Sequence, residues 1–142
     1  MRLPIADKKL LSLIPQRAPM VMVSSLMSYT SDRLVASFIV DRDALFVWGD
    51  ELSESGLLEH MAQAVALHTG YGYYIRGEKA PTGYIGSMQH VEIYALPHVG
   101  QEVFTEIHIV QEFMGVTLVE IITKLEGEIL AKAQMKTVIA NK

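Results

Sequence analysis

The chain contains no cysteine. That excludes disulfides, thiol nucleophiles and cysteine-based metal sites. It also lacks any apolar run near the roughly 20 residues that cross a bilayer. Its opening, MRLPIADKKLL, has no apolar signal-peptide core, so a cytoplasmic protein without a membrane partner is expected. There is no long basic run, and the net charge is −4. Both features argue against a nucleic-acid partner. No GxSxG, P-loop or GxGxxG pattern occurs. Thr82-Gly83-Tyr84-Ile85-Gly86 has glycines but not the strand-to-helix context of a phosphate loop, and reads as a kinked strand. The histidines are His60, His68, His90, His98 and His108. No pair forms HExxH or another metal pattern, so they read as structural or surface residues, and neither metal nor cofactor is expected.

What is present is apolar. Half of the 142 residues are hydrophobic and the mean hydropathy is positive. The length suits one domain spanning residues 1–142. The surplus of apolar residues suits a large interface in a homodimer or higher homo-oligomer.

The strongest local signal is Ser53 to Gly72, SESGLLEHMAQAVALHTGYG. Leu57, Leu58, Met61, Ala62, Val65, Ala66 and Thr69 recur at helical spacing and make a broad apolar stripe. Ser53 or Ser55 can cap its start, Glu51 and Glu54 suit its dipole, and Gly70 and Gly72 supply a stop. Ala62, Ala64 and Ala66 allow close packing.

Before this helix, Ala6 to Ile14 reads as a short helix capped by Asp7 and ended by Pro15. Met20 to Tyr29 and Leu34 to Val40 read as a hairpin around Ser31-Asp32. The loop Asp41 to Leu52 carries Phe46, Val47 and Trp48, which line a pocket, seal an interface or form satellite core. After the helix, Thr82 to Ala95, Gln101 to Phe113, Val116 to Leu125 and Glu128 to Ile139 read as strands, with Glu126-Gly127 as a two-residue turn. Val103, Thr105, Ile107 and Ile109 share one face. The total is an α+β domain, a long central helix wrapped by a roughly six-stranded antiparallel sheet. Sheet edges of that kind pair across two-fold axes.

Glu59 and Gln63 project from one helix face, four residues apart. An acid in the first turns of a largely buried helix is placed to exchange protons with a ligand, although a surface glutamate favoured by the dipole has the same pattern. His60 points about 100° away from Glu59. Gly56 puts a backbone N–H near the helix start, where it can approach a ligand carbonyl or simply tolerate the cap.

Ile14-Pro15-Gln16-Arg17-Ala18-Pro19-Met20-Val21-Met22-Val23 resembles the LPHR-P-x-LLVD opening of hot-dog-fold β-hydroxyacyl-ACP dehydratases. Leu58-Glu59-His60-Met61-Ala62-Gln63-Ala64 resembles their E-x-MAQA helix motif. Gly83-Tyr84-Ile85-Gly86 and Pro97-His98-Val99-Gly100-Gln101 are similar to later segments of the branch found in aryl-polyene and related pigment clusters. The resemblance runs from about Leu13 to Ala133. It implies a hot-dog fold, dimerised edge to edge, that takes acyl-ACP or acyl-CoA thioesters in fatty-acid or polyene-type synthesis. It also implies Glu59 as the catalytic carboxyl, Gln63 steadying it, Gly56 polarising the thioester carbonyl, and Gln16 contacting substrate.

The chain departs from that pattern at the base. Asp41 to Ser55 holds no histidine, and Gln16 stands where the LPHR histidine belongs. A glutamine is no useful proton acceptor. Three readings follow: a 3-hydroxyacyl-ACP or -CoA dehydratase with a rearranged site, a hot-dog thioesterase using the helix carboxylate alone, or a non-catalytic acyl-binding or partner subunit whose two-fold mate, another hot-dog protein, supplies the chemistry. An acidic carrier protein needs a basic rim, for which Arg17, Arg42, Arg76 and Lys79 are candidates.

Overall fold

The computed structural model describes residues 2–139. Strands β1 (Ile5–Ala6), β2 (Ser25–Tyr29), β3 (Arg33–Ile39), β7 (Glu102–Phe113), β8 (Val116–Leu125), β9 (Glu128–Ile139) and β6 (Gly83–Ile93) form one antiparallel sheet in that order. A small ladder joins β4 (Val47–Trp48) to β5 (Glu51–Leu52). Helix α1 (Asp7–Leu11) is short, and α2 (Glu54–Ile75) runs for 22 residues, about 33 Å. The sheet wraps α2 in a hot-dog fold. It has seven strands rather than about six, because Ile5 and Ala6 pair with Leu26 and Ser25.

Alternation builds the sheet. In β7, Val103, Thr105 and Ile107 are buried while Phe104, Glu106 and His108 are not. From α2, Leu57, Met61, Ala64 and Leu67 are fully buried in the same core cluster as Leu34, Ile107, Val119 and Ile121. Each of the leucine, isoleucine, valine and methionine side chains among them contributes about 1.5–3 kcal/mol through its burial. The β8–β9 hairpin closes at Glu126 (φ 51) and Gly127 (φ 83), the two-residue turn expected there. The kink near Gly86 is a register shift between Ile85 and Ser87. Among the described residues strand β6 pairs with β9 alone, so its 11 residues have a free edge there. Tyr84 and Ile85 on it are more than half exposed.

The helix boundaries differ from those in the sequence pattern. Ser53 is the N-cap, its Oγ accepting from the Gly56 N–H at 3.2 Å. Gly70 and Gly72 do not stop α2, which continues to Ile75. They are thin places where other chain segments come close. A Cβ on Gly70 would overlap the Leu13 carbonyl oxygen, and one on Gly72 would lie 2.9 Å from the Tyr29 hydroxyl. The stop comes from Gly77, at φ 70. Its N–H donates to the Tyr74 carbonyl and the Glu78 N–H to the Tyr73 carbonyl, both at 3.0 Å, the pairing of a Schellman motif. Gly70→Ala is therefore expected to destabilise the chain by about 1–3 kcal/mol, despite alanine's better helix propensity. A urea midpoint equal to or above wild type would contradict this.

At the N-terminus, Asp7 is the first residue of α1 and not its cap. Ala6 holds the cap position without a side-chain bond, and the helix ends at Leu11 rather than Ile14. The strand expected from Met20 begins at Ser25. The reason lies in α2, whose side chains occupy the backbone of residues 20–22.

Candidate active site

Three polar positions within five residues define the site: Glu59 and Gln63 on one face of α2, and His60 turned into the core. Gln63 is fully buried, and its amide is saturated. Its Nε2 donates to the Met20 carbonyl at 2.7 Å and to Glu59 Oε2 at 2.8 Å. Its Oε1 accepts from the Met22 N–H at 2.7 Å. His60 completes the clamp, with Nδ1 2.7 Å from the Met22 carbonyl oxygen. A carbonyl can only accept, so Nδ1 carries the proton. Neutral Nε2 then accepts from the Thr105 hydroxyl at 2.8 Å, and Thr105 accepts from Thr123 at 2.7 Å. Residues 20–22 thus bond to helix side chains where a strand would bond to a neighbouring strand, and no ladder forms there.

His60 is wholly buried, and Phe38 stacks on it with ring centroids 5.7 Å apart. Desolvation lowers its pKa to about 4, against a smaller upward pull from the Met22 carbonyl. Both ring nitrogens are used and the ring stays neutral. It is the structural histidine that the sequence suggests. The surrounding polar chain was less visible, though Thr105 and Thr123 within otherwise apolar alternations are its signal.

Glu59 is half-buried. Gln63 holds one of its oxygens. Among the described residues no group bonds the other, and none of the histidines contacts the carboxylate. His68 is buried farther along α2, donating to the Thr30 carbonyl at 3.0 Å and stacked on Tyr29. Burial lowers its pKa as well. His98 sits between Asp50 and Glu51, 3.5 Å from each, and His108 lies 3.8 Å from Asp32.

Of the other expected site residues, Gly56 has its N–H engaged by Ser53, and a side chain there would collide with Leu52 and Phe46. Gln16 is half-buried, and its Oε1 is enclosed without a protein partner. Among the candidate rim cations, Arg42 pairs with Asp50 at 3.1 Å. Arg76 pairs with Glu78 at 3.5 Å and lies over the Tyr73 ring. Arg17 is exposed and donates to the Ile14 and Gln16 carbonyls, and Lys79 is exposed.

Two hollows adjoin α2. One of about 360 Å³ opens at its N-terminus, lined by Trp48, Glu51, Ser53, Glu54, Ser55 and Leu96. Ser55 lies one turn before Glu59 on the same side of the helix. Phe46 and Val47 pack on the core, whereas Trp48 is 71% exposed at this hollow. The other, about 450 Å³, meets α2 at Val65, His68, Thr69, Gly72 and Tyr73. The first four of these are turned away from Glu59 and Gln63. No group of three or more histidine and acidic side chains able to hold a metal ion occurs among the described residues. No helix there is long and apolar enough to cross a membrane.

Gln63→Leu removes every bond of the clamp's amide while keeping its volume. It leaves the buried Met22 N–H unpaired, which costs about 1–3 kcal/mol, and frees Glu59. Chemical denaturation should show the loss, and a variant as stable as wild type would mean the clamp contributes little.

The fold has close counterparts. The dehydratase heterocomplex ApeI:P from Xenorhabdus doucetiae superposes with a TM-score of 0.87 at 20% identity, covering 100% of this chain and 94% of that one. The uncharacterised protein PH1136 from Pyrococcus horikoshii gives 0.69 at 14% identity, covering 99% and 97%. A hypothetical thioesterase with coenzyme A from Streptococcus pneumoniae TIGR4 gives 0.66 at 8% identity, covering 82% and 85%. At such identities the likeness establishes the fold. No curated protein sequence matches the chain. The model of the ApeP-like family, described as ApeP dehydratase, matches residues 8–142, and this chain therefore belongs to the ApeP-like dehydratase family.

Proposed function

We propose that the chain works in the dehydration of 3-hydroxyacyl thioesters carried on acyl carrier protein or coenzyme A, with Glu59 as its acid–base residue. The observation that carries this is the half-buried Glu59 carboxylate, steadied on one oxygen by Gln63 at 2.8 Å and unengaged by protein on the other. In the reaction the Cα–H bond breaks and its proton goes to a base. The Cβ–O bond breaks as the hydroxyl takes a proton from Glu59, and water leaves the enoyl thioester. Gly56 and Gln16 lie on the segments that flank this carboxyl, and contact with the thioester is assigned to them.

Elimination of this kind is easier with a second group to take the α-proton. His60 is committed to Met22 and Thr105, and Gln16 supplies no base. A second subunit is the natural source. The free, apolar edge of β6 can extend its sheet across a two-fold axis. A copy of this chain would bring the same residues again, so a different hot-dog protein supplies the base. The heterocomplex named for the structural counterpart supports that assignment.

The test is intact-mass analysis of a 3-hydroxyacyl carrier protein, incubated with the chain alone and with a second hot-dog subunit. Loss of one water that needs the partner and Glu59 supports the reading. Release of free thiol without water loss indicates a thioesterase instead, the alternative favoured by a lone carboxylate.

A further inference from the structure

We propose that the N-terminal arm, residues 2–17, is the docking surface for the acidic carrier protein that delivers the acyl thioester. The inference rests on the functional reading above. It places docking at one face, where the sequence alone offered scattered cations.

Charge is segregated along the chain. Residues 2–17 hold Arg2, Lys8, Lys9 and Arg17 against a single acid, Asp7, a net +3; because the whole chain is −4, the remainder carries −7. All four cations are exposed. None makes an ion pair among the described residues, whereas Arg42, Arg76 and Lys124 do. Unpaired surface cations keep their field available to a partner.

The arm also lies in the right place. Leu10 and Leu13 anchor it in the core, being 2% and 7% exposed. Its Leu13 carbonyl presses on Gly70, and the Met20 carbonyl just beyond it accepts from Gln63. Glu59, Gln63 and Gly70 follow at offsets of four and eleven residues, so they share one side of α2. The cationic arm therefore runs along the side that presents Glu59. The N-terminal end of the helix is acidic instead, with Asp41, Asp43, Asp50, Glu51 and Glu54 near Arg42. An acidic partner is repelled there and attracted to the arm.

The chemistry favours a protein over other anions. A membrane-binding arm needs exposed apolar anchors beside its cations, and among the described residues the first large hydrophobic side chain with substantial exposure is Met27. A nucleotide phosphate needs converging donors, whereas these side chains are spread over 16 positions.

The test uses the full chain and R2E/K8E/K9E, substitutions at exposed positions outside the proposed catalytic machinery. Titration with unacylated holo-acyl carrier protein at low salt should show binding that weakens at least about tenfold in the variant and with added salt. No binding, or equal binding by both chains, overturns the proposal. This readout is independent of catalysis, so it separates failure of docking from failure of the dehydratase reading. Where turnover is present, the variant should lose kcat/KM on the carrier-linked substrate and keep it on the same acyl group attached to pantetheine. Equal loss on both substrates also overturns the proposal.

Discussion

Glu59→Gln is expected to lower the rate of water loss by about 10²–10⁴-fold, the range for removing a positioned acid–base group. The substitution keeps the length and polarity of the side chain. Its amide oxygen can still accept from Gln63 Nε2, the bond seen at 2.8 Å, so folding should change little. What is lost is the proton: a carboxamide neither supplies one to the leaving hydroxyl nor takes one up. The loss should fall on kcat rather than KM, since the carboxyl matters most as the Cβ–O bond breaks. The measurement is the intact-mass assay, run with the second subunit present and with thermal melting as a control for folding. Undiminished dehydration by the variant would remove Glu59 from the chemistry and leave it a structural partner of Gln63.

The largest effect on stability is expected at His60. Its folded pKa, about 4, lies below the ordinary 6.5 because desolvation disfavours the imidazolium. Between those values the unfolded chain binds a proton that the folded chain does not. Stability therefore rises with pH in this window, in full above about 6.5 and lost as pH falls towards 4. At 1.36 kcal/mol per unit, the loss is about 3 kcal/mol. The groups facing the ring are the Met22 carbonyl, Phe38 and Thr105, of which the Met22 carbonyl opposes the shift more weakly than burial drives it. His68 shifts in the same direction and adds to the slope. His60→Leu should be about 1–3 kcal/mol less stable at neutral pH, because the Met22 carbonyl and Thr105 lose their partner. It should also have a shallower slope between pH 6.5 and 4. Urea midpoints for both chains across that range decide the matter. Parallel curves would mean that another group governs acid unfolding.

These two neighbours show how unequally the sequence reveals roles. The i, i+4 pair Glu59 and Gln63 was visible as a shared helix face, and the structure places their side chains in contact. That His60 points elsewhere follows from the same geometry. Its partners do not, because Met22, Thr105 and Thr123 come from the loop before β2 and from β7 and β8, with long stretches of chain between them. The glycines of α2 were misleading for a related reason. Gly70 and Gly72 look like a helix stop when judged by local propensity. In the fold they are points of close approach for Leu13 and Tyr29. The arm of residues 2–17 is similar: its charges are plain in the sequence, but its position along the Glu59 side of α2 is not.

By itself, the sequence determined the helix, the strand pairs with their tight turns, the antiparallel wrap and the resemblance that named the family. Those depend on period, turn chemistry and short motifs, all of which act between residues near one another in the chain. Only the tertiary structure decided where α2 ends, why residues 20–22 form no strand, and which polar groups hold Glu59. Each of these depends on contacts between distant segments, where a buried donor or acceptor must find a partner and its choice is set by packing.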